Sequence, residues 1–89
     1  MTFLDEGPAL PPGLVVVSRA GCGLCEDMLH DLADLARSYA LPQVQVVDVD
    51  DHEGLVRRYG LKVPVLLLDG SVICHYTLNS NELLGVLKL

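Results

Sequence analysis

The chain has 89 residues, 51% of them apolar, and twelve acidic against six basic side chains give it a formal net charge of -6. That length holds one compact domain with a modest core and no second domain, and the acidic balance repels phosphate backbones and anionic lipid, so neither nucleic acid nor a membrane surface is an expected partner. Three cysteines without regular spacing do not form an extracellular disulfide framework and point to a reducing compartment.

Residues 1–13 contain Pro8, Pro11 and Pro12 with Gly7 and Gly13, a composition that suits an extended lead-in and excludes a helix. The stretch Met1 to Pro8 has no positive charge ahead of an apolar run and no long hydrophobic segment. Neither a secretory signal nor a membrane span is expected, and the reading is a cytoplasmic monomer whose single domain covers residues 14–89. Leu14 to Val17 is an unbroken apolar run of the kind buried on both faces in mid-sheet. From Leu24 to Tyr39 the apolar residues Leu24, Met28, Leu32, Leu35, Ala36 and Tyr39 recur at helical spacing, with Glu26, Asp27, His30, Asp31, Asp34 and Arg37 opposite them. Pro42 stops that helix, and residues 43–50 alternate polar and apolar as a second strand does.

Asp50 with Glu53 three residues on predicts a capping box for a short helix through Tyr59, closed by Gly60. Val63 to Leu68 is a third apolar run, joined through Asp69-Gly70 to Val72–Tyr76, and Asp-Gly between apolar runs signals a hairpin. Asn79 with Glu82 caps a last helix carrying Leu83, Leu84, Val86, Leu87 and Leu89. A βαβ unit, a helix and a ββα unit make an α/β fold of thioredoxin-like architecture: a four-stranded mixed sheet with helices on both faces.

The chemistry is concentrated in Cys22-Gly23-Leu24-Cys25, between the first strand and the first helix. Unpaired N–H groups and the positive end of the helix dipole favour a thiolate at a helix N-terminus, where Cys22 lies. Cys25, one turn further in, falls on the apolar stripe and is expected to be the more sheltered sulfur. An exposed thiol followed by a sheltered one suits disulfide exchange, with Cys22 as nucleophile and Cys25 as resolving thiol. Glu26 and Asp27 act against Cys22 ionisation. The alternatives are two small packed residues, or a soft-metal or adaptor module on the same fold. A closed zinc site lacks a second pair of ligands, since Cys74 and His75 are neighbours on a strand and point to opposite faces. No metal site is therefore assigned, and Cys74 reads as a buried small hydrophobe.

Ser18-Arg19-Ala20-Gly21-Cys22-Gly23-Leu24-Cys25, together with Val63-Pro64 and Asp69-Gly70, resembles the glutaredoxin-like family of small thiol-disulfide proteins from about residue 14 onward. The resemblance implies a thiol-disulfide oxidoreductase with a cis peptide bond before Pro64, facing the cysteines. It also implies substrate-binding roles for Arg19, Val63 and Pro64, Val63 offering its backbone to an extended substrate. The implied partners are a protein or small-molecule disulfide and, as electron donor, glutathione or a thioredoxin-type protein. No bound cofactor is implied. Glutaredoxins that bind glutathione carry a Gly-Gly pair after the hairpin and then an acidic residue, where this chain has Cys74-His75-Tyr76-Thr77. That departure puts glutathione as direct co-substrate in question.

Overall fold

The strand β1, Leu14–Ser18, lies in the interior of a four-stranded sheet because its run of four large apolar side chains has to be covered from both sides. The computed structural model describes residues 10–89, so the first nine residues of the expected lead-in lie outside the described residues. After β1 come α1 (Gly23–Leu35), β2 (Val44–Asp48), a single 3-10 turn (Val49–Asp51), α2 (Glu53–Tyr59), β3 (Val65–Leu68), β4 (Ser71–His75) and α3 (Ser80–Leu87). The strand order is β2-β1-β3-β4, with β1 parallel to β2 and antiparallel to β3, and β3 antiparallel to β4. This mixed sheet between helices is the expected thioredoxin-like α/β fold. No helix among the described residues is long and apolar enough to cross a membrane.

Alternation along the central strands divides the interior in two. Leu14 and Val16 of β1 and Leu66 of β3 meet Met28 and Leu32 of α1 and Leu83 of α3 on one face. Val15, Val17, Val65 and Leu67 meet Val49 and the α2 residue Leu55 on the other. Leu14 to Val17 are all fully buried, and each such side chain contributes about 1.5–3 kcal/mol by leaving water. Two central strands thus carry both cores.

Several local expectations are corrected. α1 stops at Leu35 rather than Tyr39, because the chain tightens into i→i+3 bonds from Arg37 to Asp34 and Ser38 to Leu35. Tyr39 is exposed, and so is Leu24, which in the first turn points away from the core stripe of Cys25, Met28 and Leu32. The cap of α2 is His52, whose Nδ1 accepts the Gly54 N–H at 3.0 Å, and not Asp50. Asp50 is drawn instead into the 3-10 turn, its N–H bonded to Asp48 Oδ1 at 2.9 Å. Gly60 closes α2 as expected, and Asn79 caps α3 through the Glu82 N–H.

Asp69 and Gly70 both take positive φ in the hairpin turn, the geometry that Asp-Gly favours. A register shift opposite Leu66 and Leu67 adds a residue to β4, so Ile73 and Cys74 both pack against the α1 and α3 core. Cys74 is only half-buried there, held at the sheet edge rather than inside the core as expected.

Candidate active site

Four chain segments reach one end of the sheet by register alone. Ser18 pairs with Asp48, Val17 with Val65, and Val65 with His75. The loop leaving β1, the turn after β2, the approach to β3 and the exit from β4 therefore gather at the same pole. Gly21 turns the first of these loops with φ +72°, a left-handed conformation that a side chain would disfavour, and sets Cys22 at the start of α1.

Cys22 is the N-cap residue of α1, extended in backbone, and its Sγ accepts the Cys25 N–H at 3.1 Å. Its carbonyl takes the first helical bond, from the Glu26 N–H, at 3.1 Å. The two sulfurs are joined as a disulfide, with Cα atoms 5.2 Å apart. Cys22 is half-buried, whereas Cys25 is 1% exposed beside Met28 and Leu32. Pairing and asymmetry both follow the sequence reading. The helix start that favours anionic sulfur also carries the exposed carboxylates Glu26 and Asp27, which oppose it. A cleft of about 400 Å³ adjoins this loop, lined by Arg19 and Gly21 and by the carboxylates Glu26, Asp48 and Asp51.

Arg19 is engaged on every nitrogen. Its Nε and Nη2 donate to the two Asp50 carboxylate oxygens at 3.0 and 3.1 Å, and its Nη1 donates to the Gly60 carbonyl at 2.9 Å. The hydrogen bond to Asp50 raises the Arg19 pKa above its ordinary value, and the same bond holds the Asp50 carboxyl below its own. The guanidinium is thus committed to protein groups. Neither Asp50 nor Gly60 was legible as its partner, since they lie 31 and 41 residues away in sequence.

Val63-Pro64 is a cis peptide bond. Pro64 is buried and its carbonyl accepts the Tyr76 N–H at 2.8 Å, while among the described residues no backbone hydrogen bond engages Val63. Tyr76 stands at φ +72°, and its hydroxyl donates to the Leu61 carbonyl at 3.2 Å. Sequence reasoning placed Tyr76 at the end of the last strand and in the stretch that lacks a Gly-Gly pair, whereas β4 ends at His75 and Tyr76 braces the loop before Pro64. Among the described residues, His30, Asp31 and Asp34 also bring ligand-type side chains together, exposed on α1 and without either cysteine.

Residues 13–88 match the family model described as Glutaredoxin-like domain (DUF836). The chain belongs to the glutaredoxin-like family. Within it, the chain is similar to protein Ne2328 of Nitrosomonas europaea, known from a solution NMR structure, with 33% identity, a TM-score of 0.75, and 92% of this chain and 98% of that one covered. The X-ray structure of protein XcR50 from X. campestris is similar at 29% identity and a TM-score of 0.67, covering 85% and 96%. An uncharacterized protein of Mycobacterium tuberculosis is 29% identical over 77 residues, 81% of this chain and 78% of its own. The holo form of glutaredoxin C1 from Populus tremula x tremuloides shares the fold at 19% identity and a TM-score of 0.54, covering 86% and 75%. The glutaredoxin-like domain and a paired Cys22 and Cys25 at two-residue spacing together give this member a redox-type site.

Proposed function

We propose that the protein is a thiol-disulfide oxidoreductase that reduces or exchanges disulfides through Cys22 and Cys25. The observation that carries this reading is the unequal burial of a bonded pair whose outer sulfur caps a helix. In the reduced protein the Cys22 thiolate attacks one sulfur of a substrate disulfide, forming a mixed disulfide and expelling the other substrate sulfur as a thiolate, which takes a proton from solvent. Cys25 then loses its proton and attacks Cys22 Sγ. The second substrate thiol leaves, and the Cys22–Cys25 disulfide described above is the oxidised product. Two electrons pass from the pair to the substrate, and a thiol donor must return them.

The Cys25 N–H aimed at Cys22 Sγ supports the first step by stabilising negative sulfur. Burial of Cys25 supports the second, since a sheltered sulfur is kept from competing for the substrate until the mixed disulfide brings its target to it. Among the described residues nothing takes the Val63 backbone N–H or C=O, which supports its use by an extended peptide around the substrate cysteine. A protein disulfide is accordingly the substrate class we favour, with a thioredoxin-type protein or glutathione as donor. Insulin reduction with each donor tests the reading. Cys22→Ser should abolish turnover and Cys25→Ser should accumulate a mixed disulfide visible by mass spectrometry; equal activity in wild type and both variants would remove the reading.

A further inference from the structure

The two loops that meet at the site are tied together by one side chain. Arg19 leaves the loop that ends in Cys22, grips both Asp50 oxygens and reaches the Gly60 carbonyl at 2.9 Å, three residues before Val63. Asp50 is itself fixed, its N–H bonded to Asp48, and Asp48 is paired in register with Ser18 beside Arg19. On the other side of the Gly60–Val63 segment, the Tyr76 hydroxyl holds the Leu61 carbonyl, and the Lys62 N–H bonds the Tyr59 carbonyl at 2.8 Å. The segment that presents Val63 is thus held by Tyr76, just past β4, and from the cysteine loop by Arg19. Among the described residues, it is the Arg19 side chain whose hydrogen bonds join this segment to the loop that carries Cys22.

We propose that Arg19 is a positioning residue that sets the cysteine loop against the Val63 loop, so that a peptide disulfide held on Val63 is presented to Cys22. The inference rests on the exchange reaction proposed above and assigns Arg19 a different part in it from direct contact with thiolate or substrate. A planar guanidinium holds a carboxylate through a rigid two-donor fork while a third nitrogen meets the Gly60 carbonyl, a fixed geometry that the compact, rotatable donors of an ammonium do not reproduce. The role is therefore geometric, and the Arg19 charge is already answered by Asp50.

The test compares kcat/KM for insulin, which needs the Val63 loop, with kcat/KM for hydroxyethyl disulfide, which needs only the thiols. Arg19→Gln and Arg19→Lys should both lower the insulin-to-small-disulfide ratio by roughly 10–100-fold, the upper end being the cost that a 1 Å misplacement by a remote change reaches, chiefly through KM. The Cys22 titration, followed by thiolate absorbance, should stay at its wild-type position in both. A wild-type ratio in Arg19→Lys would assign the effect to charge and overturn the proposal, as would a raised Cys22 pKa or an unchanged ratio in Arg19→Gln. If circular dichroism shows Arg19→Gln unfolded, Asp50→Asn decides by the same ratio, with a fall supporting the proposal and no fall ending it. Wild-type inactivity on both disulfides would remove the exchange reaction beneath it.

Discussion

Serine placed at each cysteine in turn reads the burial difference directly in stability, once the disulfide is taken out of the comparison by working under reductant. At position 22 the hydroxyl inherits the N-cap, since it can accept the Cys25 N–H that the sulfur now accepts at 3.1 Å. Serine is among the strongest N-caps, so Cys22→Ser should lie within about 0.5 kcal/mol of the reduced wild type. Position 25 is 1% exposed and faces Met28 and Leu32. A hydroxyl buried there without a partner costs about 1–3 kcal/mol. Cys25→Ser should therefore be the less stable variant by about 2 kcal/mol, a large share of the roughly 5–15 kcal/mol that holds a domain folded. The corresponding gap in Tm is about 10 °C for a chain of this size. Urea unfolding of the two variants and the reduced wild type measures it. Equal destabilisation at both positions, or a Cys25→Ser protein as stable as wild type, would refute the claim that one sulfur is sheltered and its partner is not, and with it the division into attacking and resolving thiols.

Leu66 is fully buried in β3 between its neighbours β1 and β4, and Leu66→Ala should cost about 2–5 kcal/mol, read as a lower urea midpoint with an unchanged slope. A Cβ at Gly60 would stand 2.5 Å from the Val56 carbonyl oxygen, a backbone atom of the preceding turn. Gly60→Ala should destabilise by about 1–3 kcal/mol in the same assay, since α2 has to open to admit the methyl group. Asp50 is held by Arg19 below its ordinary carboxyl pKa of 3.8. The stabilisation from that pair is complete at neutral pH and fades as acid takes the solution down through the lowered value, because the unfolded chain binds the proton first. Asp50→Asn should accordingly flatten the fall in urea midpoint between about pH 5 and pH 2.

What the sequence disclosed was what neighbours along the chain decide. The run Leu14 to Val17, the stripe through Cys25, Met28 and Leu32, the Asp69-Gly70 turn and the Asn79 cap each follow from residues within one or two turns of each other, and all appear in the fold. The helix N-terminus that receives Cys22 is local too, which is why the cysteine pair could be set at the start of α1. The errors lie where distant groups compete. Asp50 has the sequence of a helix cap, yet its carboxylate is taken by Arg19, 31 residues earlier, and His52 caps α2 instead. Cys74 follows an apolar alternation that a bulge interrupts, and a bulge depends on how β4 meets β3. Tyr76 bracing Leu61 has no signal in spacing, because the contact joins two loops brought together only when the sheet closes.

Gly13 exchanges hydrogen bonds with the hairpin tip, its N–H going to the Asp69 carboxylate at 2.7 Å and its carbonyl accepting the Asp69 N–H at 2.9 Å. This latch sits where Leu14 faces Leu68, at the opposite end of the strands from the sulfurs. A biotin, a fluorophore or a solid support coupled at position 10 therefore starts from the end of the sheet opposite the two cysteines. With the exchange reaction proposed above, a Cys25→Ser surface tethered there should capture protein disulfides as mixed disulfides with Cys22.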